Sequence, residues 1–177
     1  MALPDDQDVS DAWSVVPRLA LGIPLMFERT FSRRDERLIP VPPGRAFECA
    51  LRFEEYALWW DARFKVEATS TGSASRIGAR VEFSPAPLNR TGWEVVAVVE
   101  DQAIELIYHK GWHAGTGAWR FASAPGGTIV SFEMTIEPNN LFFAALYTLG
   151  RVEDRHSKDL QGLMARMEKH LLAHSAG

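Results

Sequence analysis

The chain has 177 residues, which fits one domain of ordinary size and suffices to bury a core. Hydrophobic residues make up 46% and charged residues 24%, which excludes disorder over most of the chain. Nineteen Lys and Arg against 23 Asp and Glu leave a net charge of −4, without the basic surplus that nucleic acids and anionic membrane surfaces require.

Residues 1–26 read as an N-terminal extension. Ser10 is placed to cap a short helix through Val16, with Asp11 in its first turn. Pro17 and Pro24 forbid one long helix. Two roles fit: a loose arm, or a segment that covers the domain or a partner subunit. The acidic start and the breaks at Pro17, Arg18 and Pro24 do not make a secretory signal. No run of 18 apolar residues is present to span a bilayer as a helix. A single cysteine, Cys49, excludes an intrachain disulfide and a multi-Cys zinc site. The expectation is a cytoplasmic protein.

From Phe27 the pattern changes. Thr30 to Ile39 predicts a long first strand with one wet face, where Arg33, Arg34 and Arg37 mix with Asp35 and Glu36. Val41-Pro42-Pro43-Gly44 makes a turn, and Pro43 suits the first position of a helix. Ala46, Phe47, Ala50 and Leu51 have helical spacing. A second short helix is expected from Glu54 to Trp60. Trp59 and Trp60 lie about 100° apart on it, so both cannot point inward.

After Asp61 the period becomes two. Phe64, Val66 and Ala68 form one alternating set, and Ile77, Ala79, Val81 and Phe83 the next. Thr69 to Ser75 is a turn, and Pro85 and Pro87 break the second run. Trp93 to Val99 is a further strand. Ile104, Leu106 and Tyr108 share one face of the strand after it. Trp119 and Phe121 share a face of another. Pro125-Gly126-Gly127 signals a hairpin. Val130, Phe132, Met134 and Ile136 then alternate until Pro138.

From Asn140 to about His174 the period returns to 3.6. Phe142, Ala145, Leu149, Val152, His156, Leu160, Leu163, Met167 and Leu171 form one stripe, interrupted by Gly150. Consecutive strands with short turns favour an antiparallel meander. The sheet has one face to bury and the helix has one stripe. The expected fold is α+β: a curved antiparallel sheet of about seven strands wrapped around a long C-terminal helix, with two short helices after the first strand.

At this point the chain resembles a known family. Ile39-Pro40-Val41-Pro42-Pro43, Tyr56-Ala57-Leu58-Trp59-Trp60, Gly115-Thr116-Gly117-Ala118-Trp119-Arg120-Phe121, Gly126-Gly127-Thr128 and the closing run Leu160 to Glu168 are similar to segments of the START-like (SRPBCC) superfamily. Within it they resemble the polyketide cyclase/dehydrase-like group. The resemblance covers roughly residues 28 to 174, and it makes 27–177 a START-like ligand-binding domain. It implies a helix-grip fold around a deep apolar cavity. Members bind lipids, sterols, hormones or polyketides, and some catalyse aromatic cyclisation.

Most catalytic signatures are missing. Gly115-Thr116-Gly117 lacks the third glycine of a dinucleotide loop, and no G-x-S-x-G, Walker loop or H-E-x-x-H occurs. Cys49 reads as a small core residue. The pairs His109/His113 and His170/His174 have metal-like spacing but no third ligand nearby in sequence, so no metal and no cofactor are expected. The candidate ligand-binding set is Tyr56, Trp60, Trp93, Tyr108, Trp119, Phe121, Phe132, Met134, Leu149 and His156. His156 and Tyr108 are the candidates for acid/base work. Arg80 lines the interior only if its strand has the opposite register. His156 sits in the apolar stripe, where it serves either as a core histidine bonded to a strand or as a polar anchor for a ligand oxygen.

Three functions follow. The first is binding or transport of a small hydrophobic, lipid- or polyketide-like molecule. The second is a polyketide cyclase or dehydratase using cavity acid/base residues. The third is a protein-interaction or co-chaperone-like module. The expected partner is a small hydrophobic molecule, with no nucleic acid and no transmembrane segment; a homodimer stays open.

Overall fold

The computed structural model describes residues 30–69, 76–86, 89–149 and 152–174. The expected N-terminal extension and the turn at 70–75 lie outside them. Seven strands form one antiparallel sheet: β1 (Phe31–Ile39), β2 (Lys65–Thr69), β3 (Arg80–Ala86), β4 (Asn89–Val99), β5 (Ala103–Lys110), β6 (His113–Ala124) and β7 (Gly127–Pro138). Their order is β1-β7-β6-β5-β4-β3-β2. Every neighbour from β2 to β7 is consecutive in sequence, and β1 closes the far edge by pairing with β7.

Two-residue periodicity decides which side chains turn inward. Ala79, Val81, Phe83, Ile104, Leu106, Trp119, Phe121, Val130, Phe132, Met134 and Ile136 are all buried. Ile77 is half exposed because it precedes β3, in a turn where Arg76 has φ 59°. Arg80 points outward and pairs with Glu94 at 2.8 Å, the register that keeps it out of the interior.

Helix α1 (Pro43–Leu51) begins with proline at its first position and buries Ala46, Phe47, Cys49 and Ala50. Burial pushes the Cys49 thiol up to about 12, so it stays a neutral core group. The second helix is shorter than expected. A 3₁₀ turn at Phe53–Glu55 leads into the single turn α2 (Tyr56–Trp59), and Trp60 is already extended at φ −66°, ψ 166°.

The described C-terminal helices are α3 (Leu141–Leu149) and α4 (Val152–Ala173). The expected interruption at Gly150 lies outside the described residues, and the two helices bury different positions of the stripe. Leu160, Leu163, Met167 and Leu171 of α4 are buried, whereas Phe142 and Leu149 of α3 are 68% and 78% exposed. The single stripe expected from residue 142 to 171 therefore holds for α4 and fails for α3. Among the described residues, no helix is long and apolar enough to cross a membrane.

Candidate functional site

Between the inner face of the sheet and α4 lies a cavity of about 220 Å³. Its walls are aromatic. Trp60 stacks on Phe83 at 4.9 Å and 22°, and Phe83 meets Trp93 edge-on at 4.4 Å. Trp93 approaches Phe132 at 6.1 Å, and Phe132 meets Trp119 at 4.9 Å. Met134, Ile136, Leu160 and Leu163 complete the apolar lining.

Backbone geometry makes room for these rings. Gly115 has φ +141°, and a Cβ there would sit 2.1 Å from the Thr135 carbonyl oxygen of the paired strand. A Cβ on Gly117 would reach 3.1 Å from the Phe132 ring. The Gly115-Thr116-Gly117 run is thus a close-approach segment of β6, with its glycines serving packing.

One part of the wall is polar. Tyr147 on α3 and His113 at the start of β6 share a hydrogen bond, hydroxyl to Nδ1, of 2.7 Å. The Tyr108 ring packs on His113 at 4.9 Å, and its hydroxyl has no hydrogen-bond partner among the described residues. His156 lines the same cavity from α4, and its Nε2 is buried without a partner. Burial, aided by the nearby His156, pushes the His113 imidazole down to about 4. Burial also lowers His156, although the Asp35 and Asp159 carboxylates pull the other way. Both rings are neutral near pH 7. Burial raises both phenols, Tyr147 to about 12, so they stay protonated.

Asp35 is near enough to His156 to act on it electrostatically. It is buried on β1 and accepts a hydrogen bond from the Ser157 hydroxyl. At another part of the lining, charged groups meet. Asp61 accepts from Arg63 Nη2 at 2.8 Å and from Arg166 Nη2 at 2.7 Å, and Arg63 also reaches Asp159 at 3.2 Å. Hydrogen bonds from Arg63, first its side chain and then its backbone N–H, hold the Asp61 carboxyl down at about 2. This clasp ties the segment after α2 to α4.

Of the residues singled out from sequence, Trp60, Trp93, Tyr108, Trp119, Phe132, Met134 and His156 line the cavity together. Three lie elsewhere. Tyr56 is fully buried behind Trp60, stacked on it at 4.7 Å, and donates its hydroxyl to the Ala50 carbonyl at 2.6 Å. Phe121 packs edge-on against Phe47 of α1 at 5.8 Å, because α1 covers that end of the sheet. Leu149 is exposed, on the side of α3 opposite Phe143, Ala144 and Tyr147.

Sequence reasoning passed over His113 and Tyr147. The signal for His113 was present: residues 113, 115, 117 and 119 share one side of β6, and Trp119 points inward. The spacing pair His109/His113 does not form a site. His113 enters the cavity, whereas His109 is an exposed side chain of β5. The His170 and His174 rings lie 4.5 Å apart, tilted by 40°, near the end of α4 and outside the cavity lining. Among the described residues no group of three or more His, Cys, Asp or Glu is placed to hold a metal ion.

A family model described as polyketide cyclase/dehydrase and lipid transport matches residues 30–168. No curated protein matches the sequence. Among solved structures, the protein TTHA0849 from Thermus thermophilus is 22% identical with a TM-score of 0.67, covering 82% of this chain and 100% of its own. The di-domain aromatase/cyclase BexL from the BE-7585A biosynthetic pathway is 18% identical with a TM-score of 0.66, covering 81% of this chain and 50% of its own. Norcoclaurine synthase from Thalictrum flavum, in complex with dopamine and hydroxybenzaldehyde, is 10% identical with a TM-score of 0.63, covering 84% and 90%. These likenesses show a shared helix-grip fold.

Proposed function

We propose that this chain, which belongs to the polyketide cyclase/dehydrase and lipid transport family, binds a compact, mainly aromatic molecule bearing an oxygen function. The observation that carries the reading is an aromatic cavity in which His156 Nε2 is buried without a partner. A buried polar group left unpaired costs about 1–3 kcal/mol. A ligand hydroxyl or carbonyl that reaches it recovers that cost. Tyr108, on the same lining, offers its hydroxyl as a second polar handle.

Size refines the ligand class. The cavity of about 220 Å³ is smaller than the roughly 300–1,000 Å³ that accepts drug-sized molecules. Flat aromatic walls suit rings better than a long acyl chain. Dopamine and hydroxybenzaldehyde, held by the structurally similar norcoclaurine synthase, have this character.

The test is native mass spectrometry of the purified chain, followed by titration with a panel of phenols and aryl ketones. Bound compounds should quench tryptophan fluorescence, because Trp60, Trp93 and Trp119 line the cavity. Failure of the whole panel to bind overturns the reading.

The Tyr147–His113 hydrogen bond favours a second reading, acid/base catalysis on the bound molecule. A neutral imidazole bonded to a phenol can pass a proton between ligand and hydroxyl. Product formation from a cyclisable β-polyketone, lost in His113→Phe, supports it. Binding without turnover across such substrates leaves the first reading alone.

A further inference from the structure

Helix α3 leaves one apolar face uncovered among the described residues. Its nine residues, LFFAALYTL, carry no charge. A helix apolar all round normally sits inside a core. Phe143, Ala144 and Tyr147 do turn inward: Phe143 stacks on Trp112 at 4.7 Å, Ala144 is buried, and Tyr147 lines the cavity. Leu141, Phe142, Leu146 and Leu149 occupy the opposite side and are all exposed. Four large apolar side chains on one side of one helix form a patch, unlike scattered single exposures.

We propose that residues 13–27 of this same chain cover that face. The segment WSVVPRLALGIPLMF holds ten apolar residues and a single charge, Arg18. In water, both the segment and the helix face expose apolar surface that docking removes. The chain enters the described structure beside the patch. Phe31, four residues after Phe27, packs its ring on Tyr147 of α3 at 5.3 Å. Phe31 is also paired with Ile136 in β7, the strand that leads into α3.

Reach is ample. Nine helical residues span about 13 Å, and fifteen residues extend up to about 50 Å. A short tether gives an effective concentration of about millimolar, which favours the chain's own segment over a separate molecule. A second copy has no such advantage. An anionic membrane surface gains no help from an uncharged helix on a chain of net charge −4. Tyr147 lines the cavity on the inner side of α3, so docking on the outer side would also brace the His113–Tyr147 pair.

The test is amide hydrogen exchange on the full chain and on the full chain carrying Leu19→Glu, Leu21→Glu and Leu25→Glu. Residues 143–149 should exchange about tenfold or more faster in the variant, with β6 and β7 unchanged. As the reciprocal test, Phe142→Glu with Leu149→Glu should speed tryptic cleavage after Arg18. Equal α3 exchange in both proteins overturns the proposal. Protection of α3 that rises with protein concentration assigns the face to a second copy. Protection that appears only with phosphatidylcholine vesicles assigns it to a membrane. Either of these also overturns it. Should β6 and β7 also lose protection in the triple variant, the cleavage test decides: an unchanged rate at Arg18 overturns the proposal.

Discussion

The Tyr147 hydroxyl and His113 Nδ1 stand 2.7 Å apart and join α3 to β6 at the cavity wall. Both groups stay neutral, so either the phenol donates to Nδ1 or an Nδ1–H donates to the phenol oxygen. The direction of this bond and the His113 tautomer are therefore set together. Tyr147→Phe removes the Nδ1 partner and frees that choice. It should destabilise the fold by about 1 kcal/mol. Ligand affinity should fall several-fold, and the His113 ring in nitrogen-resolved NMR should become a tautomer mixture.

His156→Leu separates two roles for the imidazole. Nε2 is buried and unpartnered in the protein alone. An apolar side chain there relieves desolvation, so thermal stability should hold or rise. Ligand affinity should fall by roughly tenfold or more if a ligand oxygen completes the bond. Unfolding of the variant with unchanged affinity in the folded fraction would assign His156 a structural role.

Acid should weaken the fold through His113. Its folded pKa is pushed from 6.5 to about 4, so the unfolded chain binds a proton in that window and the folded chain does not. Stability is thus full above pH 6.5 and declines as pH falls toward 4. Chemical denaturation from pH 7.5 to 4 should show this slope, and His113→Gln should flatten it.

Met134→Trp tests the cavity itself. Met134 is buried on β7 and lines the cavity, so a larger ring would fill ligand space. Probe binding and the accompanying tryptophan quenching should be lost while cooperative unfolding is kept.

Gly115→Ala tests the backbone. The added Cβ would meet the Thr135 carbonyl oxygen at 2.1 Å at φ +141°. Both the clash and the dihedral oppose it, and a loss of more than about 2 kcal/mol is expected in denaturant titration.

Much of the fold was legible because strand and helix periods are local properties of the chain. Ile104 and Leu106, or Val130, Phe132 and Met134, need only their own alternation to be assigned an inward face. The hairpin at Gly126 and Gly127 needs only its turn residues, which adopt φ 89° and 151°. The proline at the head of α1 is read the same way. His156 on the inner side of α4 follows from the helical stripe it shares with buried Leu160 and Leu163.

The tertiary structure decided what depends on two elements at once. Phe142 and Leu149 share the helical spacing of the stripe, but α3 docks through Phe143, Ala144 and Tyr147 instead, which no spacing records. Tyr56 and Trp60 are near neighbours in sequence, yet only Trp60 reaches the cavity. The Tyr56 hydroxyl is spent on the Ala50 carbonyl, and its ring backs the Trp60 indole. His113 was readable as an inward position on β6. Its meeting with Tyr147, 34 residues away, required the sheet and α3 to dock first. Periodicity assigns a side to each residue; which residues from different elements share that side, and how much space remains between them, is set by packing over the whole domain.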